Sequence, residues 1–180
     1  MTGGEAELLP VLVTPRLRLR AFREGDASIL SANLTSGVVR WLTSWPDPTS
    51  TELAAARISD ARQGARDGWH VGYAIERRED GLVVGGFGGG SPDGRVEIGY
   101  HLAEHVQGRG YMLEAATAGL ASIWDLLPVR TIEAQAHPDN AASRAILIKL
   151  GMREVGERLV YASARDAWEP GCWYEIDRPS

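Results

Sequence analysis

The sequence predicts an α+β fold: a mixed, mostly antiparallel sheet flanked by helices, with one parallel strand-helix-strand unit. Three observations point to it. Apolar residues alternate with polar or small ones over several short stretches in the first hundred residues, as in half-buried strands. Between 111 and 127 the apolar repeat lengthens to three and four residues, so a helix interrupts the run of strands. Strand patterns flank that helix at 96–102 and 131–136, and two strands joined by a crossover helix in one sheet lie parallel.

Taken in order, the first strand is expected over 14–20, where Leu17 and Leu19 alternate with Arg16, Arg18 and Arg20. The leucines then face a core and the arginines face outward. Helices should follow at 24–33, behind Gly25, and at 49–64, behind Pro46 and Pro48, the second capped by Ser50 or Thr51. An aromatic loop, 41–45, separates them. Residues 70–76, 82–87 and 96–102 read as a meander of three strands with turn clusters at 79–81 and 91–94. No helix follows the glycine run 85–90, so it reads as a flexible strand end and not as a second phosphate loop.

In the helix at 111–127, Met112, Ala115, Gly119, Leu120 and Ile123 share one wide face, and Pro128 ends it. A strand at 131–136 leads into a helix at 140–150 stopped by Gly151, with Ala145, Leu147, Ile148 and Leu150 on its core side. Two last strands are expected at 155–163 and 168–176. The chain should form one domain over 1–180, with 1–10 as a poorly ordered tail.

Composition narrows the function. With 180 residues, 44% of them hydrophobic, the chain can bury one sizeable core. Its net charge of −5 is scattered along the sequence, which argues against nucleic acid or an anionic membrane as partner, since both need a basic patch. No apolar run approaches the roughly 20 residues of a bilayer span, and the single cysteine, Cys172, cannot form an intramolecular disulfide. The first ten residues carry two glutamates and no base, the wrong start for a secretory signal. A cytoplasmic location is the expectation. The histidines show no metal-ligand spacing, and Cys172, beside Trp173 with no base near it in sequence, reads as inert.

The chemistry centres on HVQGRGYM, between the strand ending at Leu102 and the helix starting near Tyr111. Gly108 and Gly110 permit positive φ and close approach, and the free amides of a helix N-terminus favour an anion there. Arg109 would add charge. A Walker A loop would need lysine and serine or threonine after its last glycine, where Tyr111 and Met112 stand. A dinucleotide fold would need glycine at 113, which is Leu113, and an acid at the end of the next strand, whereas Glu133 lies inside it. Both nucleotide readings therefore lose ground. After that strand comes HPDNAASRAILIKLGM, in which Asn140, Ser143 and Arg144 fall on one helical face and Asp139 or Asn140 supplies the cap.

EIGYHLAEHVQGRGYMLEA followed by HPDNAASRAILIKLGMREVG resembles the acetyl-CoA-binding core of the GNAT superfamily of N-acetyltransferases, within it the RimJ/RimL-like branch. The opening TPRLRLRAFREGD and the segment WLTSWPDP are similar to that branch too, so the resemblance covers about residues 13–178. It implies a GNAT-type sheet that splays between its two parallel strands into a slot for the cofactor. Gln107, Gly108, Arg109, Gly110, Tyr111 and Met112 would bind the pyrophosphate through main-chain amides, and Tyr100, His101 and Leu102 would present a strand edge to the pantetheine arm. Asn140 would bond the pantetheine, and Ser143 would lie near the thioester sulfur. Met112 stands where the family usually has glycine or alanine.

The implied reaction is direct attack of an amine on the thioester of acetyl-CoA. Only the neutral amine attacks, at a cost near pH 7 of about 1 kcal/mol for an α-amino group and about 4.6 kcal/mol for lysine. Ser143 is the candidate to protonate the leaving thiolate. Glu97 and His101, on the same strand face two pleats apart, are candidate bases, with pairing to Arg95 the structural reading of Glu97. Trp41, Trp45 and Trp69 would wall the acceptor pocket, without saying whether a protein N-terminus or a small-molecule amine enters. Alternatives are a CoA-binding sensor or interaction module without catalysis, and a different acyl group such as succinyl, for which Arg144 would be the cation. Pairing of final strands between two copies would give a homodimer, which the sequence itself does not specify.

Overall fold

The computed structural model describes residues 8–179. Eight strands form one sheet in the order β1-β2-β3-β4-β5-β6-β8-β7. They are β1 (Leu12–Val13), β2 (Leu17–Ala21), β3 (His70–Arg77), β4 (Val83–Gly90), β5 (Val96–Leu102), β6 (Thr131–Ala136), β7 (Arg153–Ala162) and β8 (Ala167–Asp177). Five helices flank it: α1 (Ala27–Asn33), α2 (Ser36–Val39), α3 (Thr51–Arg66), α4 (Tyr111–Leu126) and α5 (Ala141–Lys149). All strand pairs are antiparallel except β5 with β6, so the fold is the expected α+β arrangement with one parallel unit.

Alternation along the strands sorts side chains between two cores, one on each face. Leu17, Leu19, Tyr73 and Ile75 pack with the α4 stripe of Met112, Ala115, Ala116 and Ile123. On the other face Ala74 and Phe22 meet Leu30, Val39, Ala54 and Ile58 from α1, α2 and α3. Ser50 caps α3 by accepting from the Leu53 amide at 3.1 Å. No described helix is long and apolar enough to cross a membrane. Of the tail expected over 1–10, residues 1–7 lie outside the described residues, and Leu9 is buried in the first core.

Four local expectations change. Arg20 is not outward: it is buried, its guanidinium forked onto both Asp26 oxygens at 2.7 and 2.9 Å and bonded to Glu76, because the chain turns after β2 and brings Asp26 back over it. The glycine run is no frayed end but the middle of the sheet, β4 paired on both sides through Gly89. The short helix α2 had no sequence signal beyond four residues. On α5, Leu147 is buried, Ile146 and Leu150 are half-buried, and Ala145 and Ile148 face solvent. The helix is rotated about one residue from the expected face.

Candidate functional site

The register of the parallel pair creates the site. β5 and β6 pair at Val96 with Ile132, Glu97 with Glu133 and Ile98 with Ala134, and not beyond, although β5 runs on to Leu102 and β6 to Ala136. β5 meanwhile stays paired with β4 from Ile98 to Leu102. The edge of β5 from Gly99 onward is therefore left open, and the two strands diverge into a cleft of about 1270 Å³.

Beyond the open end of the divergence, past Leu102, lies the phosphate-type turn. Gly108 (φ 73°) and Gly110 (φ 78°) both take the left-handed conformation, which disfavours other residues, and Gly110 is the N-cap of α4. Glu114 donates the first capping-turn bond, to the Gly110 carbonyl at 3.2 Å, leaving the preceding amides without a backbone acceptor. Gln107, Gly108, Gly110, Tyr111 and Met112 all line the cleft. The Met112 side chain points into the core, 5% exposed, so it does not obstruct the turn. Gln107 donates to the Leu102 carbonyl at 2.9 Å and ties the turn to the strand end. Arg109 does not join them: its guanidinium donates back to the His105 carbonyl at 3.3 Å, while its own carbonyl accepts from Arg16 at 2.8 Å. Arg16 in turn is held by Glu114 at 2.7 Å.

Across the cleft, Asn140 caps α5, its Oδ1 accepting from the Ser143 amide at 3.1 Å. The Ser143 hydroxyl lies 2.9 Å from that of Tyr100 on β5. Burial, opposed by the bond to Ser143, raises the Tyr100 pKa to about 12. Arg144 is turned away onto the Tyr174 hydroxyl, the Pro138 carbonyl and Glu154, and does not line the cleft.

Glu97 and His101 share the β5 face expected of them, and both line the cleft with Leu102. Arg95 goes to Asp93 at 3.0 Å and not to Glu97. Enclosure by the cleft walls, then the adjacent Glu133 carboxylate, raises the Glu97 pKa, with Arg95 opposing. His101 rests on the bare backbone of Gly86, where a Cβ would come within 2.8 Å of its Cε1. Its ring keeps partial solvent contact, but its Nε2 is buried without a hydrogen-bond partner, and burial lowers its pKa to about 4.

Trp41, Trp45 and Trp69 line the far half of the cleft. The loop carrying Trp41 and Trp45 is fastened down by Thr43, whose hydroxyl accepts from Gln135 at 3.0 Å and whose carbonyl accepts from Ser163 at 2.5 Å. Cys172 is buried on β8 and lies outside the cleft.

Three features escaped sequence reasoning. Glu133 faces the cleft beside Glu97; its signal was the period-two polar pair Glu133 and Gln135 on a strand parallel to β5. Trp173, opposite Gln135, contributes a buried and unpartnered Nε1. The bond between Tyr100 and Ser143 joins residues 43 apart in sequence, and no local pattern announces it.

The chain is similar to known proteins. The model of an acetyltransferase (GNAT) domain matches residues 16–153. The uncharacterized N-acetyltransferase YoaA of Bacillus subtilis is 26% identical over 152 residues, covering 83% of this chain and 86% of YoaA. The Mycobacterium smegmatis RimJ structure, in complex with CoA-disulfide, is similar with a TM-score of 0.76 at 26% identity, over 89% of this chain and 81% of RimJ. A structure of RimL, the ribosomal L7/L12 alpha-N-protein acetyltransferase, in complex with coenzyme A shares the fold with a TM-score of 0.78 at 20% identity, over 93% of this chain and 98% of RimL.

Proposed function

The chain belongs to the GNAT acetyltransferase family, and from that premise we propose that it transfers the acetyl group of acetyl-CoA directly to a primary amine, on a protein N-terminus or a small molecule. The observation that carries this reading is the end of β5–β6 pairing after Ile98 and Ala134, which opens a strand edge leading straight to the Gly108–Gly110 turn. An extended pantetheine arm fits such an edge as an added strand would, and a pyrophosphate fits free amides at a helix N-terminus. Coenzyme A presents the acetyl group as a thioester, which an amine attacks without a metal or a covalent enzyme intermediate.

The residues then divide the work. Glu97, with its raised pKa and no ion pair, takes the proton that the ammonium must lose. His101 is neutral at pH 7 and too weakly basic for that task; its place is in the wall beside the reacting nitrogen. Amides on the open β5 edge are the donors available to charge developing on the acetyl oxygen. Ser143 passes its hydroxyl proton to the departing sulfur and takes the proton of the Tyr100 phenol in exchange, the phenol being protonated at neutral pH before the step. The Trp41–Trp45 loop closes the acceptor half and excludes water.

Continuous detection of thiol release from acetyl-CoA with a panel of primary amines tests the proposal, alongside calorimetric titration with CoA. Release that depends on both substrates supports it. CoA binding without thiol release would leave a binding module, and a preference for succinyl-CoA would require a cation other than Arg144, which is committed to Tyr174 and Glu154.

A further inference from the structure

Glu133 lies beside Glu97 with no cation of its own to hold. The two are Cα partners at the last but one register position of the parallel pair, so their side chains leave the sheet on the same face and both enter the cleft. Neither carboxylate has a hydrogen bond or an ion pair among the described residues. Three of the cations lining the cleft are otherwise engaged, Arg95 on Asp93, Arg158 over the Trp173 ring at 4.5 Å and Arg57 on the Ser44 carbonyl at 3.0 Å, and the fourth, Lys149, stands exposed at the end of α5 without an ion pair to either glutamate. Like charges on directly adjacent strand positions repel, so the pair is unfavourable until a cation sits between or above it.

The open surface beside the pair marks where that cation can enter. Gly99 is the next residue on the same face of β5, and a Cβ built there meets nothing within 4 Å, so the surface between Glu97 and His101 is open space. On the far side of that space His101 holds its buried Nε2 without a partner.

We propose that Glu133 is a specificity-determining residue, which with Glu97 seats the acceptor as a protonated primary amine over Gly99 and restricts the enzyme to acceptors that arrive as ammonium ions. The inference rests on the acetyltransferase reading above. One N–H proton of the seated ammonium passes to a Glu97 carboxylate oxygen, and the nitrogen keeps the electron pair with which it attacks. The Glu133 side chain holds the nitrogen in place. Lining the same cleft are Arg95 just before β5, Arg158 from β7, Arg57 and Asp60 from α3, Asp139 and Lys149 at the two ends of α5, Tyr100 and Tyr111, and the two histidines His70 and His101.

The test uses Glu133→Gln, which keeps the shape and removes the charge, and Glu133→Asp, which keeps the charge. Spermidine and alanyl-alanine amide are the probes, followed by initial rates with saturating acetyl-CoA and by quenching of cleft tryptophan fluorescence in the CoA-bound protein. Glu133→Gln should raise the amine KM and the amine Kd about tenfold, while the CoA Kd stays within twofold. It should also move the acidic limb of kcat/KM to lower pH, because the neighbouring charge no longer opposes ionisation of Glu97. Glu133→Asp should recover most of the affinity. Unchanged amine affinity in Glu133→Gln, an equal loss of CoA affinity, or a wild-type protein that binds CoA and neither probe would overturn the proposal. Failure of the wild type to bind CoA at all would instead remove the acetyltransferase reading beneath it.

Discussion

The hydroxyl of Tyr100 on β5 stands 2.9 Å from that of Ser143 on α5, spanning the mouth of the divergence between β5 and β6. This pair is the candidate proton source for the leaving thiolate. Ser143→Ala should lower kcat about 100-fold, within the range for removing a general acid. Its CoA affinity should fall less than threefold, because the helix cap from Asn140 uses the residue-143 amide and not its side chain. Tyr100→Phe should lower kcat less, with the alkaline limb of the profile unmoved below pH 11, since the phenol titrates near 12. A Ser143→Ala enzyme with full kcat would remove the pair from the mechanism.

Gly110 at φ 78° and ψ 4° cannot be replaced without strain. An alanine Cβ there meets Arg16 at 3.5 Å, an ordinary contact, so the cost is conformational and about 1–2 kcal/mol. Gly110→Ala should lower the stability measured by urea unfolding by that amount. Relaxation of the turn would also turn its amides away from the pyrophosphate, with CoA affinity falling about tenfold by calorimetry.

Much of this architecture is legible in the chain. The strand at 131–136 and the Gly108–Gly110 turn follow from periodicity and from glycine chemistry, which act over a few residues. What is not legible depends on partners remote in sequence. Arg20 sits on the arginine side of an alternating strand, yet Asp26 and Glu76 bury it. Glu133 looks like a surface carboxylate until the parallel register sets it against Glu97. The rotation of α5 is fixed by Tyr100, Tyr174 and the sheet beneath, none of which its own periodicity contains.

The Arg20–Asp26 pair gives acid sensitivity a location. Burial opposes the Asp26 charge, but bonds from Arg20 and from the Arg23 amide outweigh it and lower the Asp26 pKa. A carboxyl depressed in the folded state contributes stability that is present above its unfolded pKa, about 3.9, and lost as pH falls through the folded value. Asp26→Asn should therefore destabilise by about 3 kcal/mol at pH 7, as expected for breaking a buried pair. The gap between mutant and wild type, read from unfolding midpoints, should narrow steadily below pH 4. A gap independent of pH would mean that packing and not charge is lost.

Cys172 is 2% exposed, and burial raises its pKa, with Arg144 opposing and Glu154 and Glu157 assisting. Thiolate and access are both needed for disulfide exchange. Native protein should therefore react negligibly with 5,5′-dithiobis(2-nitrobenzoate) over an hour and fully in denaturant. Cys172→Ser should leave the amine and acetyl-CoA KM values unchanged. Rapid native reaction would show that β8 opens enough to expose the thiol.

Gly99 separates the fold from the chemistry more cleanly than any catalytic side chain. It is exposed, its φ lies outside the left-handed range, and a Cβ added to it touches nothing within 4 Å. Valine suits an extended strand, so Gly99→Val should keep or raise the thermal midpoint. Its methyl groups would occupy the space between Glu97 and His101 where the amine is expected to pass. Amine turnover should fall at least tenfold, through KM for slender acceptors and through kcat for bulky ones, while CoA affinity changes less than threefold. If the variant acetylates amines at the wild-type rate, the acceptor does not approach over Gly99, and the route to the thioester runs elsewhere along the cleft.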